Sequence, residues 1–218
     1  MLKIGSKSIL KWQLESIPIE HISELIIIVG HERDQIKREI ENLNLSYNVK
    51  FIFNDFYKEC NCGYSFSLTK DMIKGPIIYI NSDLIVKQYD LIRFFNDSHN
   101  ESLLVNIGAS KHDDFLKGDI KRNNEMIYWP EHGYGENGNC IIVGPFKMTE
   151  DTHRLICDEF ESLADQTKKQ ISCYGLFSKA LPYKKFYGIN VLLQNFWEID
   201  TFEDIIKARE ILGQTEEF

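Results

Sequence analysis

Hydrophobic positions in the first half of the chain alternate between two periods. In "SILKWQLESI", Ile9, Leu10, Leu14 and Ile17 recur at helical spacing near one face. "ELIIIVG" is a short, β-branched, fully apolar run that predicts a buried strand. In "ERDQIKREIENL", Ile36, Ile40 and Leu43 stand at i, i+4 and i+7, the stripe of an amphipathic helix. "NVKFIF" and "PIIYIN" predict two more strands, with a helix from "SFSLTKDMI" between them. A helix around "YDLIRFF" and a strand at "SLLVNIG" follow. Short apolar strands alternating with helices predict an α/β fold, with a mostly parallel Rossmann-like central sheet flanked by helices.

After about residue 110 the rhythm changes. "EMIYW" and "NCIIVG" read as strands separated by the loop "PEHGYGENG", and an amphipathic helix runs from about Glu150 to Ala164. "KKFYGINVLL" and "FWEI" are late strands, and "TFEDIIKAREIL" is a final helix. Thr201 is placed to cap it, with Asp204 three residues on, where a capping box carries Glu or Gln. No repeat, low-complexity segment or long linker divides the chain. The expectation is a single domain over 1–218 with a mixed C-terminal half.

Composition narrows the classes. The 218 residues are 43% hydrophobic and 27% charged, enough for one sizeable core. The net charge of -8, with no dense basic stretch, argues against a nucleic-acid partner. An acidic protein can still bind a phosphorylated small molecule where a metal and a few cations converge. Five scattered cysteines, an odd number without an export signal, predict reduced thiols in a cytoplasmic protein. Cys60-Asn61-Cys62 has no second Cys/His pair to make a zinc site. The longest apolar runs are too short to span a bilayer. Neither an H-E-x-x-H nor a G-x-S-x-G motif occurs.

Four stretches carry candidate chemistry. "IIYINSDLIV" ends a strand at Asp83, where open α/β sheets bind ligands; a turn or helix cap explains an aspartate there equally well. "FWEIDTFED" likewise ends a strand at Asp200, and capping is again the local alternative. Two strand-end carboxylates together suit Mg²⁺, which takes one or two carboxylates and completes its shell with water and phosphate oxygens. "NDFYKECNCGYSFSL" offers the Asn61 amide, the Gly63 backbone and the Ser65 and Ser67 hydroxyls for a base edge or an anion, or simply for entry into a helix. "PEHGYGENGN", with glycines at 133, 135 and 138, reads first as a surface loop.

Taken together these segments resemble the sugar-phosphate nucleotidyltransferases, with a glycosyltransferase-A-like fold, and within them the small cytidylyltransferases. "LKIGSKSILKWQLESI" resembles the family's L-x-x-I-G-G-K-P-L-L segment, "FNDFYKECNCGYSFSL" its nucleotide-contacting stretch and "YINSDLIV" the strand ending in its metal-binding aspartate. "FWEIDTFEDIIKAREIL" resembles the C-terminal E-I-D-T-x-E-D signature and is the most specific match.

The resemblance implies attack of a phosphorylated small molecule or sugar phosphate on the α-phosphorus of an NTP, CTP favoured and UTP the alternative, with release of pyrophosphate. It implies Mg²⁺ held by Asp83 and Asp200, nucleotide contacts from Asn61, Gly63, Ser67 and Asn81, and an acceptor pocket with Glu131 and Asn139. Residues 1–110 would be the nucleotide half and 111–218 the acceptor half, and self-association is left open. Two rivals remain: a non-catalytic nucleotide-binding or regulatory descendant, and a metal-dependent glycosyltransferase in which Asn81-Ser82-Asp83 replaces a D-x-D motif.

In the family, the segment matched by "LKIG" follows a first strand, a G-x-G-x-R loop around the triphosphate and a Pro-Lys. None of these occurs in the 218 residues. The expected consequence is a sheet without its central strand between "LIIIVG" and "IIYIN", whose backbone groups need other partners. A fragment of a longer reading frame, a segment from another chain and a divergent member of altered activity are the three explanations.

Overall fold

The computed structural model describes residues 2–108, 115–130 and 138–212. A short hairpin, β1 (Lys3–Ile4) and β2 (Lys7–Ser8), leads into α1 (Ile9–Ser16), capped by the Ser8 hydroxyl on the Lys11 amide at 3.1 Å. Next come β3 (Glu24–Val29), α2 (Arg33–Asn42), β4 (Asn48–Phe53), α3 (Cys62–Ser67) and β5 (Ile77–Tyr79). β6 (Leu84–Val86), α4 (Gln88–Phe95) and β7 (Ser102–Ile107) complete the first half. The second half runs through β8 (Lys117–Ile120), β9 (Met126–Tyr128), β10 (Cys140–Met148) and α5 (Glu150–Ser162). It closes with α6 (Asp165–Gln170), α7 (Cys173–Ser178), β11 (Tyr187–Asn190), β12 (Phe196–Glu198) and α8 (Phe202–Leu212).

The expected α/β architecture holds, but its strand pairing is more antiparallel than the alternation of the first half implies. The six-stranded sheet has the order β11-β7-β10-β8-β9, with β5 also on β10. Within it only β11 and β7 run parallel; the other parallel pair, β3 with β4, forms a sheet of its own. The reason is β10. This strand lies antiparallel to β7 along one edge, while its other edge serves β8 at one end and β5 at the other. It thereby separates β5 from β7, strands that a simple βαβ succession would make neighbours. Among the described residues, β3 pairs only with β4, and β5 only with β10.

The central strands β7 and β10 are buried on both faces, which is why "SLLVNI" and "CIIV" are continuously apolar. Their side chains alternate between two cores. Leu103, Val105, Cys140 and Ile142 meet Phe66, Phe177 and Ile156 from α3, α7 and α5. Leu104, Ile141 and Val143 meet Leu14, Leu91 and Phe94 from α1 and α4 on the other face. Burying a phenylalanine such as Phe94 or Phe177, each fully enclosed, contributes about 1.5–3 kcal/mol. A third, smaller cluster holds α8 against α1 through Trp12, Ile85, Ile199, Ile205 and Ala208. This last contact brings the C-terminal helix to the strand end of β6.

Candidate functional site

β6 was not foreseen as a strand; its three residues pair antiparallel with β12 in the register Leu84 opposite Glu198 and Val86 opposite Phe196. The pairing extends one step further, because the Ile199 amide donates to the Asp83 carbonyl at 3.0 Å. Asp83 and Asp200, 117 positions apart in the chain (200 − 83), therefore leave adjacent strands at the same end of this ribbon. The local chemistry behind each position is visible. Asp200 is exposed and precedes a helix whose cap is reciprocal: Thr201 donates from its amide (2.9 Å) and hydroxyl (2.8 Å) to Asp204 Oδ2, and the Asp204 amide returns to Thr201 Oγ1 at 3.3 Å. Aspartate thus fills the place of Glu in a capping box, and Asp200 itself is left uncommitted to the cap through its side chain.

Asp83 is different. Its Oδ1 is buried and has no hydrogen-bond partner among the described residues. Burial, followed by the nearby Asp200 charge, raises its carboxyl above the ordinary value. Beside it stands Glu198, whose pKa is pushed up to about 7 by burial and then by Asp200, Asp83 and Asp204. Among the described residues, the charged groups that shift Asp83 and Glu198 are the acids Asp200, Asp83 and Asp204. An uncompensated buried carboxylate oxygen in an acidic field is costly unless a cation balances it. The donor set fits a hard divalent ion such as Mg²⁺. Among the described residues no three His, Cys, Asp or Glu side chains stand together as a ready-made chelate. A cation here would need water or ligand oxygens to complete its shell, which is how Mg²⁺ is commonly held beside phosphates.

Three residues that the sequence reading passed over shape this rim. Gln13, buried on α1, donates from Nε2 to the Asn81 carbonyl at 2.6 Å and the Leu84 carbonyl at 2.7 Å, clamping the turn that carries Asp83. Tyr174 on α7 accepts from Asn81 Nδ2 at 2.9 Å through its hydroxyl, and burial with nearby acids raises that phenol well above its usual range. Glu198 is the third. Its signal in the sequence was its place in "EID", two residues before Asp200, which strand alternation puts on the same face.

The other expected residues fall in different surroundings. Asn61 caps α3, its Oδ1 accepting from the Cys62 amide at 2.7 Å and its Nδ2 donating to the Gln170 carbonyl at 3.2 Å. The close approach expected at Gly63 is made by the chain itself: a Cβ there would lie 2.6 Å from the Ile171 carbonyl oxygen. The Ser67 hydroxyl turns back onto the Tyr64 carbonyl at 2.8 Å. Asn139 is exposed and spends its amide on β8, with Oδ1 on the Ile120 amide and Nδ2 on the Ile120 carbonyl, both at 2.9 Å. Glu131 lies outside the described residues. The structure thus gathers Asp83, Asn81 and Asp200, links the Cys62 end of α3 to the Asp83 field, and ties Asn139 to a hairpin.

This rim can be set beside known proteins. No family model matches the chain. The bifunctional protein GlmU of Methanococcus vannielii is 24% identical over 218 residues, covering 95% of this chain and 48% of GlmU. The choline-phosphate cytidylyltransferase of Streptococcus pneumoniae is 27% identical over 114 residues, 48% of each chain. The solved structure of the CTP:phosphocholine cytidylyltransferase LicC, also of Streptococcus pneumoniae, superposes with a TM-score of 0.73 at 18% identity, covering 96% of this chain and 87% of LicC. The chain is similar in sequence and in fold to nucleotidyltransferases. It spans about half the length of the curated relatives it matches. Its mixed sheet, with helices on both faces, is a nucleotidyltransferase fold, and the β6–β12 ribbon forms one rim of it. Among the described residues no helix is long and apolar enough to cross a membrane.

Proposed function

We propose that the chain transfers a nucleotidyl group, CTP favoured over UTP, to a phosphorylated small molecule or sugar phosphate, with pyrophosphate as the second product. The observation that carries the proposal is the buried Oδ1 of Asp83, without a partner among the described residues, at a strand end beside Glu198 and Asp200. Asp83 and Asp200 hold Mg²⁺ in this reading. When bound, Mg²⁺ supplies charge neutralisation and alignment to the phosphate oxygens of the nucleotide. Glu198 lies close enough to strengthen the field that attracts the cation. Gln13 holds the Asp83 turn in place through two carbonyls, so the carboxylate does not have to reorganise when the ligand arrives. In this reading Asn61, Gly63, Ser67 and Asn81 face the nucleotide, Asn61 and Asn81 exchanging their present partners on Cys62, Gln170 and Tyr174 for base or ribose. An oxygen of the acceptor's phosphate attacks the α-phosphorus, and the protein contributes position and charge balance without a nucleophile of its own.

Pyrophosphate release from CTP or UTP, measured with and without Mg²⁺ across a panel of phosphorylated alcohols and sugar phosphates, tests this. Asp83→Ala and Asp200→Ala should each abolish the Mg²⁺-dependent signal. Retained turnover in both variants rejects the assignment.

One observation favours a second reading, a nucleotide-binding descendant without turnover. Among the described residues, the charged groups that shift Asp83 and Glu198 are all acids, with no lysine or arginine set against them. Calorimetry separates the two: CTP or UTP binding with Mg²⁺ in a protein that releases no pyrophosphate supports the descendant.

A further inference from the structure

A second reactive cluster lies where α3 meets α7. Both helices open on a cysteine, Cys62 and Cys173. The backbone stitches the two segments together: the Asn61 amide donates to the Lys169 carbonyl at 2.8 Å and the Gly63 amide to the Ile171 carbonyl at 3.2 Å. The Cys173 amide donates to Cys62 Sγ at 3.0 Å, which holds the Cys62 sulfur against the residue that carries the second thiol. Their exposure is opposite. Cys62 faces solvent, whereas Cys173 is 1% exposed beneath it. All five cysteines are free thiols, and the buried Cys140 and Cys157 belong to the apolar core. An accessible sulfur backed by a second thiol is the arrangement of a reversible oxidation site.

We propose that Cys62 and Cys173 form a modification site for hydroperoxides, with Cys62 as the attacking sulfur and Cys173 as the resolving one. The Cys62 thiolate attacks one peroxide oxygen. The O–O bond breaks, Cys62 becomes a sulfenic acid, and the departing oxygen leaves as water or alcohol after taking up a proton. The Cys173 sulfur then attacks the Cys62 sulfur, the S–O bond breaks, and the hydroxyl leaves with the Cys173 proton as water. Two thiols lose two electrons and two protons to one peroxide, and an external dithiol reverses the step by exchange. Closure joins the two sulfurs by a bond of about 2.0 Å. The hydrogen bond from Cys173 also lowers the Cys62 thiol to about 7, while burial pushes Cys140 and Cys157 up to about 12. Thiolate character is therefore concentrated at the accessible member. The assignment does not depend on the nucleotidyltransferase reading, because every readout below is a thiol or a mass.

The full chain is reduced, exposed to stoichiometric hydrogen peroxide with and without dimedone, and mapped by mass spectrometry under non-reducing conditions. The expected product is a Cys62–Cys173 cross-linked peptide with loss of two hydrogens, reversed by dithiothreitol. Cys173→Ser should accumulate the dimedone adduct on Cys62, and Cys62→Ser should leave Cys173 a free thiol. A Cys60–Cys62 link, first modification at another cysteine, or five thiols surviving treatment overturns the proposal. Cys173 is buried, so its variant is checked for native circular dichroism; should it not fold, the wild-type map and the exposed Cys62→Ser variant decide the matter alone. The oxidised chain should also unfold at a higher temperature than the reduced one, because the link closes a loop between positions 111 residues apart.

Discussion

Two groups of polar side chains in this molecule differ in how their buried members are satisfied. Under α5, the Thr69 hydroxyl donates to the Phe66 carbonyl at 2.7 Å and meets His153 Nε2 at 2.7 Å, with Cys157 Sγ 3.7 Å from the same nitrogen. Because the Thr69 proton is committed to Phe66, His153 donates from Nε2 to the Thr69 oxygen, and burial disfavours a second proton on the ring. Burial holds that histidine down to about 4 and lifts Cys157 to about 12. Each group sits in its uncharged form with a partner. At the β6–β12 rim, by contrast, Asp83 Oδ1 has none among the described residues, and burial with neighbouring acids raises both Asp83 and Glu198. Satisfied polar burial contributes stability. Unsatisfied polar burial marks where something from outside completes the structure.

Breaking the rim should give the largest effect. Asp83→Asn is expected to lower pyrophosphate release by about 10²–10³-fold, the scale of one lost electrostatic stabiliser. Its metal-free unfolding midpoint should be no lower than that of the wild type, since the variant removes a carboxylate that burial disfavours. Activity assays and urea melts on the same preparations check both halves.

The satisfied region should respond to pH instead. The folded His153 pKa lies below the 6.5 of an unperturbed histidine, so between those values the unfolded chain binds more protons. Its stabilising contribution is complete above pH 6.5 and is lost as pH falls towards 4, by at most about 3 kcal/mol at roughly 1.4 kcal/mol per pH unit. Glu150 and Arg154 act on the same ring with opposite signs. The difference between wild type and His153→Gln across pH 4–7 therefore isolates the histidine; equal slopes in the two melts would contradict its neutral burial.

Mg²⁺ sharpens the contrast from the other side. At 100 times its dissociation constant it should stabilise the wild type by about 2.7 kcal/mol and leave Asp83→Asn unchanged. A similar rise in both proteins would locate the ion elsewhere. The smallest effect is expected at the link between the rim and α7: Tyr174→Phe removes the acceptor of the 2.9 Å bond from Asn81 and should cost about 1 kcal/mol. A thermal melt of that variant under the same buffer reads the loss.

Much of this was legible beforehand because it is local. The apolar runs of β3, β4 and β7, the amphipathic stripe of α2 and the cap at Thr201 depend on neighbours within a few residues, and the structure contains them. What periodicity misses is also physical. β6 is three residues long, and α6 and α7 are six each, too short for a period to register. The side of Gly63 that looked open to a ligand is closed by Ile171, 108 positions later (171 − 63), and Asn139 is consumed by a hairpin partner.

The chain's own order of residues determined which segments are strands and helices, and which carboxylates end them, because backbone propensity and side-chain alternation act over short range. Tertiary structure alone decided that β10 enters between β5 and β7, that Asp83 meets Glu198 and Asp200, and that Cys62 rests on Cys173. Those contacts join positions far apart in the chain. They arise because apolar faces must be buried together, and the burial that results raises Asp83 and Glu198 above ordinary carboxylates.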